Sequence, residues 1–191
     1  MIGAVLLGPP GVGKGTQAKR LSERLGIPWI STGSIFRANI REETELGLLA
    51  ASYIDRGKYV PDEITIPMVQ VRFTADDVRE GFLLDGFPRT LAQAHALRDI
   101  LAAQGLELTM VLEITAPNDV LVKHMIKRAA EEGRSDDNPA VFAQRLKEYH
   151  HLTEPIATYY ADQDLLVSIS GIGSIEEVSD RILNLPQLAV S

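Results

Sequence analysis

A glycine-rich segment directly after an apolar run constrains this chain more than any other feature of its sequence. The apolar residues Ile2–Leu7 are followed by Gly-Pro-Pro-Gly-Val-Gly-Lys-Gly-Thr at positions 8–16. Gly8, Gly13 and Lys14 have the G-x-x-x-x-G-K spacing, in which glycines let successive backbone N–H groups turn toward an anion. A helix predicted from about Lys14 adds its positive end to the same place. The sequence therefore predicts a phosphate-binding P-loop, with Thr16 supplying the metal-binding hydroxyl because Gly15 cannot.

The alternative for this segment is a glycine turn that closes a β-hairpin. Ala18, Leu21 and Leu25 follow the turn at helical spacing, and such a pattern does not fit a strand. Strand, glycines, lysine, hydroxyl and helix also occur in the order that phosphate binding requires. We therefore interpret the segment as a P-loop.

Composition favours one acidic cytoplasmic domain. The 191 residues suffice for a single domain with small insertions, and the absence of cysteine excludes disulfides and thiolate zinc sites. The formal net charge of −7 disfavours nucleic acid and anionic membranes as partners, so basic residues that bind phosphate must be focused in a cleft. We see neither a charged-then-apolar leader nor an apolar run long enough to cross a bilayer, which favours the cytoplasm.

Apolar runs alternate with amphipathic segments along the chain. Residues 27–30, 81–86, 108–114 and 165–170 join residues 2–7 as predicted strands, with helices between them. Uninterrupted apolar runs suit strands that are covered on both faces. The sequence therefore predicts an α/β fold, with a five-stranded parallel sheet, helices on both faces and right-handed crossovers. Residues 31–60 interrupt the alternation as a pair of short helices, a small lobe that we expect to swing.

Several polar residues stand where elements begin or end. Asp85 ends a buried predicted strand, so its carboxylate belongs at the sheet edge where α/β folds bind ligands. Asp62 precedes an apolar helical stripe and is expected to cap that helix. Thr90 and Gln93 form the S/T-x-x-E/Q capping box. The residues alone therefore leave open whether Gln93 reaches back to its helix start or binds a ligand.

Basic side chains of three predicted helices could serve a phosphate site. Arg37 lies one turn into the helix after Ser31, and an arginine there is more often solvated than bound. His124 and Arg128 lie one turn apart on the helix face opposite an apolar stripe, so both side chains can contact the same ligand. Such a pair is nevertheless usually solvated. Arg145 lies off the apolar stripe of its helix.

Four ordered motifs make essentially the whole chain resemble the adenylate kinase family in its short-lid form. They are residues 8–17, Ser31-Thr32-Gly33 followed by Arg37, Asp85-Gly86-Phe87-Pro88-Arg89 followed by Gln93, and Gly133-Arg134-Ser135-Asp136-Asp137 followed by Arg145. The resemblance implies one core domain over 1–191, a monophosphate-binding lobe at 31–60 and a short lid at 128–138. It implies reversible phosphoryl transfer from MgATP to AMP, giving two ADP, by a monomer that acts on small nucleotides. It implies Mg²⁺ as the metal, and we expect no structural zinc.

The resemblance also implies roles for individual residues. For ATP they are Gly11, Val12, Gly13, Lys14, Gly15, Thr16, His124, Arg128 and Gly173. For AMP they are Thr32, Arg37, Lys58, Tyr59, Val60, Gly86, Phe87, Pro88, Arg89, Gln93, Arg134 and Arg145. The catalytic residues are Lys14, Arg89, Arg128, Arg134 and Arg145. Mg²⁺ is held by Thr16 and, through water, by Asp85.

One position departs from the family pattern. His124 stands where many relatives carry an arginine that stacks on the adenine of ATP. An imidazole can stack in the same way, although its charge near neutrality depends on its surroundings. We expect the His124 ring at the ATP base.

Other nucleotide-binding classes also use a P-loop. A UMP/CMP kinase resembles this chain, but Thr32 and Gln93 favour adenine, because the pyrimidine-directed relatives usually differ there. A P-loop switch protein needs N-K-x-D and D-x-x-G sequences, which this chain lacks. A non-catalytic nucleotide binder is disfavoured because every charged position of the motifs is retained.

Overall fold

The structure of the chain is a computed structural model, which describes residues 1–132 and 138–188. The strands are β1 (Ile2–Leu7), β2 (Trp29–Ser31), β3 (Gly81–Asp85), β4 (Met110–Thr115) and β5 (Leu166–Ser170). The α-helices are α1 (Lys14–Leu25), α2 (Thr32–Arg41), α3 (Glu45–Ile54), α4 (Asp62–Arg72), α5 (Leu91–Gln104), α6 (Asn118–Glu132), α7 (Pro139–Glu148), α8 (Glu154–Ala161) and α9 (Ile175–Leu183). Short 3₁₀ segments lie at Asp76–Glu80 and Pro186–Leu188, and a π-helical turn lies at Tyr149–Thr153. No helix within the described ranges combines the length and hydropathy needed to cross a bilayer.

All five strands pair in parallel, in the order β2-β3-β1-β4-β5. The register aligns Leu6 of β1 with Asp85 of β3, and Asp85 in turn with Ser31 of β2. Because parallel strands end at one edge, the segments after Leu7, Ser31 and Asp85 emerge side by side. The predicted fold class is confirmed, and its sheet order gathers three of the sequence motifs at one edge.

The sheet is covered on both faces. Val5 and Leu7 of β1 belong to one buried cluster, which includes Phe82 and residues of α4, α5 and α8. Ala4 and Leu6 belong to a second cluster with residues of α1, α6 and α9. Successive strand residues point to opposite faces, so a strand without polar alternation feeds both cores. Burial of each large apolar side chain stabilises the fold by about 1.5–3 kcal/mol.

The second strand begins later than the sequence predicts. It spans Trp29–Ser31 instead of 27–30, because its ladder with β3 runs from Trp29 opposite Leu83 to Ser31 opposite Asp85. Ile27 stays buried in the core without joining the ladder. A three-residue edge strand takes its limits from its partner, which local sequence does not report.

Helices α2 and α3 form a small unit beside the main sheet. They pack against each other, and Phe36, Ala50 and Val60 form a buried cluster separate from the two large ones. The helices fall within the lobe predicted at 31–60, and the swinging of that lobe stays a prediction.

Candidate functional site

The P-loop joins the end of β1 to the start of α1. Gly13 precedes the helix in the left-handed conformation, with φ of 95°, where a side chain would add strain. The start of α1 has no side-chain cap and no acidic residue in its first turn, so its N–H groups suit an anion. The ammonium of Lys14 donates to the carbonyl oxygens of Gly8 at 2.7 Å and Pro9 at 2.9 Å. The lysine therefore lies across the loop that its backbone forms.

Thr16 and Asp85 supply oxygen atoms near this edge. Thr16 is exposed in the first turn of α1, and Asp85 is partly buried at the end of β3, beside β1. A hydroxyl and a carboxylate are hard oxygen donors of the kind Mg²⁺ prefers. Within the described ranges, no group of three or more His, Asp or Glu side chains could hold a metal. One hydroxyl and one carboxylate are the kind of sparse protein donor set that suits a Mg²⁺ with ligands from water and nucleotide phosphates.

A first pocket opens between α2, the start of α5 and the segment 57–60. Its polar lining includes Thr32, Arg37, Arg89, Gln93 and Arg145. The lining thus carries hydroxyl and amide groups, and arginine side chains contribute positive charge. This combination suits a ligand with a polar ring and an anionic group.

The lining of the first pocket requires glycine at position 86. Gly86 has φ of 82°, and a Cβ there would lie 2.7 Å from the Thr32 hydroxyl oxygen. That hydroxyl donates to the Gly86 carbonyl at 2.9 Å, so its lone pairs are what it can offer a ligand. The close approach of Gly86 to Thr32 brings the β3 loop against the start of α2.

Gln93 contacts the start of its own helix and also lines the first pocket, and its binding of a ligand stays a prediction. Thr90 caps α5 by accepting from the Gln93 N–H at 3.1 Å, which is one half of a capping box. The other half differs, because the Gln93 side-chain oxygen accepts from the Arg89 N–H at 2.7 Å instead of from Thr90. Gln93 is 2% exposed and still lines the first pocket. Its amide is therefore held in place at the pocket wall.

The prediction that Asp62 caps α4 is wrong. Pro61 occupies the N-cap position, and Asp62 is the first helical residue, without a side-chain cap on this helix. Its carboxylate instead accepts from the Thr90 hydroxyl at 2.9 Å and the Gln93 side-chain nitrogen at 2.6 Å. The Asp62 carboxylate thus accepts from two side chains that are distant in sequence, and not from the backbone N–H groups at the start of α4, as it would in a cap.

Arg89 is held from three directions. Its Nε donates to the Gly86 carbonyl at 2.8 Å, and its guanidinium lies over the Tyr59 ring, 4.8 Å from the centroid. The Tyr59 hydroxyl lies 2.8 Å from Oγ1 of Thr153, which donates to the Arg89 carbonyl at 3.0 Å. The side chain is therefore oriented before any ligand arrives.

A second pocket adjoins the first and reaches the P-loop. Lys14 and Tyr149 line it, and both pockets share Tyr59, Gly86, Arg89 and Arg145. Burial raises the pKa of the Tyr149 phenol, so this side chain is neutral near neutral pH. The two pockets thus meet at a pair of arginines, with Lys14 on one side and Arg37 on the other.

Comparison with known proteins gives one family. The sequence profile described as "Adenylate kinase" matches residues 6–165. The chain is 51% identical to adenylate kinase of Pseudarthrobacter chlorophenolicus over 179 residues, covering 94% of this chain and 93% of the relative. It is 52% identical to adenylate kinase of Renibacterium salmoninarum and 51% identical to that of Kocuria rhizophila, over 94% of this chain and 93% and 95% of those relatives.

The chain belongs to the adenylate kinase family. The resemblance seen in the motifs is confirmed, and membership makes the chain a nucleoside monophosphate kinase, an ATP:AMP phosphotransferase. The adenylate kinase family works on MgATP in general.

Among the described residues, the structure brings the predicted AMP residues together, with one exception among side chains. Lys58, Tyr59 and Val60 line the first pocket along with the polar residues described above. Pro88 lines the second pocket, whereas the Phe87 side chain is fully buried in the core. Phe87 could therefore offer a nucleotide only its backbone.

The predicted ATP residues divide between the P-loop and the neighbouring loops. Val12 is 4% exposed and packs in the core, so its side chain cannot contact phosphate, and its backbone N–H donates to the Pro9 carbonyl at 3.4 Å. Gly173 follows β5 with φ of 122°, in a loop whose carbonyls at Ser170 and Ile172 accept from Arg181 at 2.8 and 2.6 Å. Arg134 lies outside the described residues with the rest of 133–137 in the predicted lid, and so does the side chain of Arg128.

His124 lies against the P-loop. Its Nδ1 is 2.9 Å from the carbonyl oxygen of Gly11, so the ring is anchored beside the residues predicted to bind phosphate. Nδ1 carries the proton in this contact, because a carbonyl only accepts. Stacking of the ring on the ATP base stays a prediction.

Sequence reasoning missed several residues that shape the pockets. Asp62, Tyr149 and Thr153 all lie at or next to the pockets, and Arg181 fixes the loop that carries Gly173. Tyr149 and Thr153 bound the π-helical turn before Pro155, a residue type that interrupts helices. That break was the available signal, since π-helical turns are frequent at functional sites.

Proposed function

We propose that this chain binds AMP in the first pocket and the phosphates of ATP in the second, and exchanges a phosphoryl group where the pockets meet. The observation that supports this division is that Arg89 and Arg145 line both pockets, whereas Arg37 lines the first and Lys14 the second. Positive charge from both sides would then surround the moving group. Catalysis of phosphoryl transfer consists largely of such positioning and charge neutralisation.

On the acceptor side, Arg37 and Arg89 would bind the AMP phosphate. Planar guanidinium groups grip phosphate oxygens in pairs, and the contact of Arg89 with Tyr59 supports this orientation. Thr32, Gln93 and the backbone from Lys58 to Val60 would hold the base. A site with buried polar groups in this arrangement penalises bases that cannot pair with them.

On the donor side, the backbone from Gly11 to Thr16 would bind the ATP phosphates. Lys14, already crossing the loop, would extend to the β and γ phosphates. Arg128 would contact the same phosphates, and His124 and the backbone at Gly173 would contact the adenine. Mg²⁺, which neutralises phosphate charge when bound, would be held by Thr16 and, through water, by Asp85.

The transfer itself needs no general base. The second pKa of a phosphate monoester is about 6, so the AMP phosphate is largely ionised near neutrality. One of its oxygens attacks the γ phosphorus while the bond to the β–γ bridging oxygen breaks, and that oxygen leaves with the electron pair as part of ADP. The arginines stabilise the charge on the equatorial oxygens throughout.

Water is a competing acceptor that the site must exclude. We infer that residues 128–138 form a short lid bearing Arg128 and Arg134, that Arg145 joins it, and that the lobe at 31–60 closes over AMP. If these arginines surround the phosphates only when both nucleotides are bound, ATP hydrolysis is suppressed. We further infer a monomer that acts in the cytoplasm on free nucleotides, in adenine nucleotide homeostasis.

The direct test is to incubate the protein with MgATP and AMP, and separately with ADP alone, and to quantify all three nucleotides. We expect two ADP per AMP consumed, the reverse reaction from ADP, and slower use of UMP, CMP and water. A rate of ATP consumption that does not depend on AMP, or a preference for UMP or CMP, would contradict the proposal.

A further inference from the structure

Asp62 joins three parts of the first pocket. It is the first residue of α4, and only Pro61 separates it from the Lys58–Val60 segment. One carboxylate oxygen accepts from the Thr90 hydroxyl at 2.9 Å, and the other accepts from Nε2 of Gln93 at 2.6 Å. Both oxygens of a partly buried carboxylate are therefore used by residues at the start of α5.

The two ends of the Gln93 amide are distinguished by these contacts. Its oxygen accepts from the backbone N–H of Arg89 at 2.7 Å, while its nitrogen donates to Asp62 at 2.6 Å. A reversed amide would place its NH₂ against the Arg89 N–H and its oxygen against the Asp62 carboxylate, and both contacts would be repulsive. The amide therefore has one orientation at the pocket wall.

That orientation defines which base edge the amide can pair with. Beyond these two bonds, the amide has one oxygen lone pair and one N–H to offer. Adenine presents an amino donor beside a ring-nitrogen acceptor, which matches this pair. Hypoxanthine presents a carbonyl acceptor beside a ring N–H donor, which matches only the reversed amide.

We propose that Asp62 is a positioning residue for base choice, which holds Gln93 in the orientation that selects 6-amino purines over 6-oxo purines. The proposal rests on the function proposed above, in which Gln93 contacts the AMP base. Arg89 secures the oxygen end of the amide and Asp62 secures the nitrogen end. Loss of Asp62 leaves the amide attached at one end, so it can tilt or turn toward a 6-oxo base.

The test compares AMP with IMP as phosphoryl acceptors from MgATP. We expect Asp62→Ala to lower the ratio of the AMP kcat/KM to the IMP kcat/KM by about tenfold, mainly by raising the KM for AMP. Asp62→Asn keeps an oxygen that can accept from Gln93, so it should retain most of the ratio. Glu63→Gln is the matched control, because it removes a carboxylate from the same helix turn but lies exposed, and its ratio should equal that of the wild type.

The outcomes separate this inference from the proposed function. Failure of the wild-type protein to phosphorylate AMP would contradict both. A wild-type protein that prefers AMP, together with a folded Asp62→Ala variant whose AMP-to-IMP ratio is unchanged, would overturn the role of Asp62 alone. A Glu63→Gln variant whose AMP-to-IMP ratio falls as far as that of Asp62→Ala would also overturn this role, because the effect would then come from the loss of any negative charge at the start of α4. If Asp62→Ala does not fold, Asp62→Ser is measured against the same criteria, since its shorter side chain cannot bridge Thr90 and Gln93.

Discussion

The guanidinium carbon of Arg89 lies 4.8 Å from the centroid of the Tyr59 ring, which places a cation of the β3–α5 loop on an aromatic face at the end of the α2–α3 unit. Cation–π contacts contribute about 0.5–2 kcal/mol. We expect Tyr59→Leu to raise the KM for AMP about fivefold, because Arg89 loses its support. Steady-state kinetics with AMP varied at saturating ATP measures this effect.

The companion variant Tyr59→Phe keeps the ring and removes the hydroxyl that contacts Thr153. It should raise the KM for AMP less than Tyr59→Leu does. Equal effects of the two variants would show that the hydroxyl, and not the aromatic face, supports Arg89.

Lys14 is predicted to be indispensable for transfer. Lys14→Met removes the ammonium that crosses the P-loop, so turnover should fall to background while circular dichroism and the melting temperature stay close to those of the wild type. Lys19→Met provides the control, because Lys19 is an exposed residue of the same helix. Measurable turnover by a folded Lys14→Met variant would exclude the role assigned to this lysine.

Base preference is predicted to depend on Thr32 and Gln93 together. Thr32→Ala combined with Gln93→Asn shortens or removes the two polar groups of the first pocket that we propose hold the base, so the use of UMP or CMP relative to AMP should rise. The control combines Thr74→Ala with Gln70→Asn at exposed positions. An unchanged preference in the first double variant would refute the assignment.

Gly86 is predicted to be required for two reasons. It keeps the backbone free of strain, and it leaves room for AMP to bind. Gly86→Ala places a methyl group 2.7 Å from the Thr32 hydroxyl at φ of 82°, so it should cost about 1–3 kcal/mol of stability and weaken AMP binding. Gly105→Ala imposes a similar strain, at φ of 65°, with no atom within 4 Å of the new methyl group. It should lower the melting temperature and leave the KM for AMP unchanged, and a raised KM would argue against the steric explanation.

Stability of the P-loop helix is predicted to depend on a buried pair between α1 and α9. The Ser179 hydroxyl donates to the Gln17 side chain at 2.7 Å, and both residues are less than 9% exposed. Ser179→Ala leaves the Gln17 oxygen without this donor and should cost about 1–3 kcal/mol in urea unfolding. Ser52→Ala, at an exposed helix position, should change the free energy of unfolding by less than about 0.5 kcal/mol.

The sequence predicted the sheet because each strand carries its own signal. Val5 and Leu6 are both buried, on opposite faces, and that is why β1 lacks polar alternation. The start of β2 was misplaced because its limits depend on pairing with β3, which is distant in sequence. Local patterns report burial well and pairing partners poorly.

In the candidate site, too, local sequence motifs predict some residues, whereas contacts between distant parts of the chain determine the others. Lys14 and Arg89 could be assigned because they stand inside ordered motifs, and the pockets bring them together. Asp62 was assigned wrongly because a carboxylate at a helix start usually caps that helix, whereas its partners Thr90 and Gln93 come from another helix. Thr153 gave no signal of its own, since its contacts with Tyr59 and Arg89 are tertiary.

The central claim is that charges from both pockets meet on one phosphoryl group between two nucleotides. A crystal structure with a bisubstrate analogue, two adenosines joined through a phosphate chain, tests it most directly. We predict Lys14, Arg37, Arg89 and Arg145 within about 3 Å of phosphate oxygens and Gln93 paired with the adenine of the first pocket. An analogue bound with Arg89 and Arg145 away from its phosphates, or with its phosphate chain outside the junction of the two pockets, would contradict the account.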